Sequence, residues 1–212
     1  MNEKTEYKGY FYSIEQDENA ENPRDFDHFT HMITVPQRHN KFDDEEMSRE
    51  EIEEIIKRKD VIALPLIIYD HSGIWMSTGR QYPFNDPWDS SHIGFIYVTL
   101  EEIRREMGRP KPRKNNINPD IKAIKHVTKA DREHAIRLMK SEVQEYSDWL
   151  SGNVWGFVVY DGEDDDVVDS CWGYYGDEGY RYAEQEAKSI IDWRVEQDAK
   201  ERTEKTKEEV GC

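Results

Sequence analysis

Three short apolar runs between residues 61 and 98 constrain the fold of this chain more than any other feature. Residues 61–69 (VIALPLIIY) are nearly continuous in apolar side chains, a second run (IWMST) follows Gly73, and residues 93–98 (IGFIYV) are β-branched and aromatic. Runs this short, bounded by Asp, Ser, Gly and Pro, have the length of strands rather than helices. They predict a hairpin closing at 70–73 and an antiparallel meander completed by 93–98, with Pro83 and Pro87 in the intervening loop. Pro65 has no N–H to donate, which places it at an edge or a bulge.

The other elements follow from periodicity and caps. Residues 7–14 are aromatic and strand-like and can pair with 29–35 across the polar stretch EQDENAENPRD. Ser48 with Glu51 and Thr99 with Glu102 have capping-box spacing, predicting helices over 48–59 and from 99 to about 107, where Gly108 and Pro110 stop the second. Ile136, Met139, Val143, Tyr146 and Leu150 recur at three- and four-residue steps in a long helix from Thr128 to about 151. Residues 153–160 and 167–175 flank the acidic turn DGEDDD as a hairpin. A last helix from about Tyr180 carries Ala183, Ala187, Ile190 and Arg194 on one side. The irregular order of strands and helices predicts an α+β fold, with a mostly antiparallel sheet of about five to seven strands covered by two longer helices. Residues 1–195 are expected as a single domain and 196–212 as a charged tail, either a fraying helix or disordered.

Charge sorts the function classes. Of 212 residues, 46 are acidic and 29 basic, a formal net charge of -17, which argues against non-specific attraction to nucleic acid or anionic lipid. No run approaches the roughly 18 apolar residues of a membrane span, and the N-terminus lacks the order of a signal peptide, so a cytoplasmic location is expected. Cys171 and Cys212 make neither a disulfide framework nor a metal knuckle. No cofactor is implied.

Polar residues crowd the segment between the apolar runs. Asp70-His71-Ser72 places an acid, a base and a hydroxyl side by side, but neighbouring side chains on a strand point to opposite faces, and the plainer reading is a turn. His71, Asp86, Asp89 and His92, with Trp88 among them, offer imidazole and carboxylate ligands for zinc or manganese and hence a metal-dependent hydrolase, though their spacing matches no ligand signature. His28-Phe29-Thr30 matches one half of the element that two-histidine phosphoesterases use in pairs, and the second copy is missing. Cys171 reads as a small buried hydrophobe rather than a nucleophile.

Two charge clusters remain. Arg104, Arg105, Arg109, Lys111, Arg113, Lys114, Lys122, Lys125 and Lys129 make residues 104–129 the one stretch able to face phosphate. Asp161, Glu163, Asp164, Asp165, Asp166, Asp169, Asp177 and Glu178 occupy 161–178 with no basic residue between them. Spaced carboxylates of this kind can imitate DNA phosphates and occupy a basic groove; the plainer reading is a solvated acidic face. Exposed tryptophans would add interface anchors.

Three blocks carry a family resemblance: DENAENPRDFDHFTHM at 17–32, LPLIIYDHSGIWMSTG with DPWDSSHIGFIYV through 98, and WLSGNVWGFVVYD with DSCWGYYG. With them the chain resembles, over most of its length, a family of uncharacterised proteins encoded by bacteriophages and conjugative plasmids. It departs from that family's pattern at His28, Phe29, His31 and His92, so the resemblance implies no site at these histidines. What it implies is a mobile-element origin and, with the charge map, a non-enzymatic acidic protein that binds and modulates a host protein, as a counter-defence (anti-restriction) inhibitor or DNA mimic.

Overall fold

The computed structural model describes residues 3–34, 45–71, 73–79, 88–110, 121–122, 124–162 and 166–210. In chain order these hold β1 (Thr5–Tyr7), β2 (Tyr10–Gln16), a 3-10 turn (Pro23–Asp25), β3 (His31–Thr34), β4 (Glu45–Glu46), α1 (Arg49–Ile56), β5 (Val61–Asp70), β6 (Ile74–Thr78), β7 (Ser90–Thr99), α2 (Leu100–Glu106), β8 (Arg109–Pro110), β9 (Ile121–Lys122), α3 (Lys129–Leu150), β10 (Val154–Asp161), β11 (Asp166–Tyr175) and α4 (Gly176–Val210). The class is α+β, as the irregular element order implies. The strands do not share one sheet. They fall into two compact units, Met1–Glu21 with Gly152–Cys212, and Asn22–Ser151, whereas the sequence reading grouped residues 1–195 around one core.

In the first unit the strand order is β1-β2-β10-β11, antiparallel throughout. Residues 7–14 are not one strand: Lys8 and Gly9 take φ of 52° and 86°, the left-handed pair that a two-residue hairpin turn demands. The partners of β2 are β1 and β10 rather than residues 29–35. Helix α4 begins earlier than Tyr180, at Gly176, whose N–H donates to the Asn153 carbonyl at 2.8 Å. It buries Ala183, Ala187 and Ile191 against Tyr10, Tyr12, Phe157 and Val159, because a four-residue step keeps these side chains on one face. The Tyr10 and Tyr12 hydroxyls donate to Asp198 and Glu184 at 2.9 and 3.0 Å, fastening the helix to the sheet as far as residue 198. Burial, reinforced by Asp198, pushes the Tyr10 phenol up to about 12. The expected tail from 196 is a continuation of α4 through Val210.

The main sheet of the second unit runs β4-β3-β7-β5-β6, antiparallel except where β3 lies beside β4. The apolar runs of residues 61–98 are therefore not a meander, since β7 passes β6 to pair with β5. The long connection between Thr78 and Ser90 makes that return inexpensive, because loop-closure entropy grows only slowly with length. Pro65 sits in an inner strand without breaking it. Its carbonyl accepts from Thr78 Oγ1 at 2.7 Å, so its missing N–H also points toward β6, which ends opposite Leu66. The register shift between Leu66 and Ile67 follows immediately.

Leu66, Ile68, Met76, Ile96 and Val98 pack on one face of this sheet with Ala135, Met139, Val143 and Tyr146 of α3. On the other, Ile33 and Tyr97 pack with Ile52 of α1. The Met76 N–H donates to Ser147 Oγ at 2.9 Å, so α3 also closes the edge that β6 would otherwise leave open. At Gly94, opposite Thr34, the approach of β3 leaves no room for a side chain, because a Cβ would collide with the Ile33 carbonyl and the Thr34 backbone. Helices α1, α2 and α3 each begin in a complete capping box, at Ser48–Glu51, Thr99–Glu102 and Thr128–Asp131. No helix among the described residues is long and apolar enough to cross a membrane.

Candidate functional site

The turn at His71 is built by strand ends. The His71 N–H donates to the Gly73 carbonyl at 3.2 Å, and the Asp70 N–H to the Asp89 carbonyl at 3.0 Å, which brings the start of β7 beside the hairpin. His71 Nδ1 lies 3.0 Å from an Asp89 carboxylate oxygen, with the two side chains 62% and 38% exposed. Asp70, the sequence neighbour, is exposed and takes no part in this contact. His92 pairs with Ile67, four positions back along β5, so at about 3.3 Å per residue it stands about 13 Å from His71. Asp86 lies outside the described residues, and Trp88 is 92% exposed. Of the hydrolase candidates, the structure thus joins His71 with Asp89 and sets His92 apart. Among the described residues no three His, Cys, Asp or Glu side chains are grouped as metal ligands would be.

The acidic candidates surround β11. Asp161 and Asp166 flank the hairpin turn, with Glu163, Asp164 and Asp165 outside the described residues, and Asp177 and Glu178 open α4 at the far end of the strand. Asp161, Asp166, Asp169, Asp177 and Glu178 are all exposed. None of the five is paired with a lysine or arginine among the described residues. Between them β11 is the edge of its sheet and exposes Val167 at 62% and Trp172 at 43%. Cys171, expected to be buried, is exposed on this same edge strand, where the shift of register between Trp155 and Phe157 breaks the alternation of faces. In the basic stretch, Arg104 and Arg105 lie on α2, β8 pairs with β9, Lys125 and Lys129 are exposed, and Lys111, Arg113 and Lys114 lie outside the described residues.

Sequence reasoning missed a third arrangement. Arg24 leaves the 3-10 turn and reaches Glu142 on α3, Nη1 to Oε2 at 2.8 Å, with side chains only 7% and 18% exposed. The same carboxylate accepts from the Phe29 N–H at 2.9 Å and from the Thr30 hydroxyl, while Arg24 Nη2 donates to the Thr30 carbonyl at 2.8 Å. This closed set of bonds forms one wall of a cleft of about 580 Å³, bordered also by Phe26, Asp27, His28, Glu106, Leu138 and Glu145. His28 Nδ1 lies 2.8 Å from the Phe26 carbonyl, far from any phosphoesterase pairing. Glu145 is exposed as a whole residue, yet loss of hydration at its carboxyl, followed by the charges of Glu142 and Asp148, raises its pKa above the ordinary glutamate range. The signals were faint: one arginine in an acidic stretch, and two glutamates flanking the buried stripe of α3.

No family model, curated protein or solved structure matches this chain.

Proposed function

We propose that this chain is a binding protein of mobile-element origin that docks its acidic, aromatic β11 edge onto a basic face of a host protein in the bacterial cytoplasm. The observation that carries this reading is the set of five exposed carboxylates, unpaired with lysine or arginine among the described residues, around an edge strand that also exposes Val167 and Trp172. A ten-residue strand spans about 30 Å, long enough to lie along a groove made for a nucleic-acid backbone. Carboxylates at both ends and an aromatic anchor between them supply steering and contact area together. The resemblance to phage and plasmid proteins favours a counter-defence or DNA-processing target. The hydrolase reading has less support, because His71 and Asp89 meet on an exposed turn without His92.

The test compares the chain with an Asp161→Asn, Asp166→Asn, Asp169→Asn, Asp177→Asn variant in a pull-down from host lysate. A specific partner should be held at low salt, displaced by duplex DNA, released as salt shortens the Debye length to about 3 Å near 1 M, and lost from the variant and from Trp172→Ala. Capture that is indifferent to the four substitutions, or no capture at low salt, overturns the proposal.

A further inference from the structure

The cleft beside Glu142 has features that a solvated crevice lacks. Its wall is rigid, because Arg24 and Glu142 satisfy each other and the Phe29–Thr30 backbone while almost excluded from water. Arg24, the one lysine or arginine of the lining among the described residues, is thereby neutralised. The rest of the lining is Asp27, Glu106 and Glu145, none paired with a lysine or arginine among the described residues, His28, whose Nδ1 lies 2.8 Å from the Phe26 carbonyl, Phe26, 52% exposed, and the apolar surface of Pro23, Phe29 and Leu138. Two of these carboxylates work against local stability. Glu106 is the last residue of α2, where the helix dipole favours a cation, and the Glu145 carboxyl loses hydration and lies beside Glu142 and Asp148. Charges kept where a neutral residue would be more stable point to use.

We propose that this cleft is a binding site for an organic cation, a guanidinium, amidinium or ammonium group carried on an apolar body. The aromatic side chains accept the apolar or planar part by stacking and cation–π attraction, and the rim carboxylates pair with the charged head. Glu142 is not a ligand in this scheme, since its oxygens are already occupied by Arg24, Phe29 and Thr30. The site lies within the Asn22–Ser151 unit and does not depend on the reading of the β11 edge.

Calorimetric titration of the full chain with benzamidinium, its neutral counterpart benzamide and its anionic counterpart benzoate isolates the charge from the shape. Benzamidinium should saturate with Kd on the order of 1 mM, benzamide should bind at least about tenfold more weakly, and benzoate not at all. Glu106→Gln with Glu145→Gln should weaken benzamidinium about tenfold and leave benzamide unchanged, while Phe26→Ala weakens both. Glu201→Gln, an exposed residue of α4 in the other unit, should leave benzamidinium affinity unchanged. Equal binding of benzamide and benzamidinium, or full affinity in the double variant, overturns the proposal. Circular dichroism of each variant guards against misfolding, and loss of benzamidinium affinity at high salt in the unmutated chain gives a readout that needs no variant. Comparison of n-butylguanidinium with the peptide Ac-Gly-Arg-Gly-NH2 then distinguishes a free small molecule from an arginine side chain as the source of the cation.

Discussion

The His71 turn and the Arg24–Glu142 cradle are both acid–base pairs held by strand, turn and helix ends, and they differ in almost every physical respect. The turn joins residues only 18 positions apart, leaves both partners substantially exposed, and sets His71 Nδ1 3.0 Å from the Asp89 carboxylate. The cradle joins residues 118 positions apart, is almost excluded from water and hydrogen-bonds both side chains to each other and to the Phe29–Thr30 segment. Density of reactive residue types in a stretch of sequence therefore marks a surface turn here. The desolvated, fully bonded arrangement comes from an unremarkable glutamate on a helix flank.

Substitutions at the two sites should separate by the same logic. The largest effect is expected at Glu142→Ala, which strands the Arg24 guanidinium along with the Phe29 N–H and should cost about 3–5 kcal/mol in urea unfolding. A loss comparable to that of a surface pair would dissolve the distinction. Ser147→Ala removes the acceptor of the buried Met76 N–H and should cost about 1–3 kcal/mol by the same measurement.

An intermediate case sharpens the contrast. His31 Nε2 meets Glu102 at 2.6 Å, with the imidazole stacked on Tyr97 at 4.9 Å, and Glu102 also completes the capping box of α2. Burial pushes the Glu102 pKa up, but bonds from His31, the Thr99 backbone and the Thr99 hydroxyl outweigh it, and the net shift is downward. A carboxyl depressed in the folded state contributes stability that is complete above its unfolded pKa and is lost as pH falls through the folded one. Glu102→Gln should therefore cost about 1 kcal/mol at neutral pH and flatten the loss of stability expected below about pH 4.5 in the unmutated chain; parallel acid-melting curves would argue against this origin. Smallest of all, Asp89→Ala should change stability by no more than about 0.5 kcal/mol, and a drop near that of Glu142→Ala would show that the turn has been misjudged.

Local chemistry was legible in advance where it is local in origin. The capping boxes expected at Ser48–Glu51 and Thr99–Glu102 involve residues three apart and form as expected, and α3 begins after Thr128, with a third box, closed by Asp131, that the sequence reading did not name. The β10–β11 hairpin was likewise visible in two aromatic and β-branched runs about an acidic turn, and the apolar stripe of α3 as periodicity. Strand partnership was not. Nothing in residues 61–98 says that β7 will pass over β6, because a long connection permits either order at nearly equal entropy. The Lys8-Gly9 turn was missed because lysine is an unusual occupant of a left-handed position. The cleft was missed because its parts come from the 3-10 turn, α2 and α3, and no pattern within any one of them announces the others.

Strand β7 is apolar on both faces, with Ile93, Ile96 and Val98 toward α3 and Phe95 and Tyr97 toward α1. A sheet strand that is greasy on both sides offers a sliding partner little reason to prefer one alignment over the next. Gly94 supplies the reason. Slipped by one residue, β3 would drive the backbone at Ile33 and Thr34 into the side chain of Ile93 or Phe95, so the missing methyl acts as a notch that only one alignment fits. The notch thus rejects misaligned pairings by collision, a discrimination that the apolar faces of β7 do not supply.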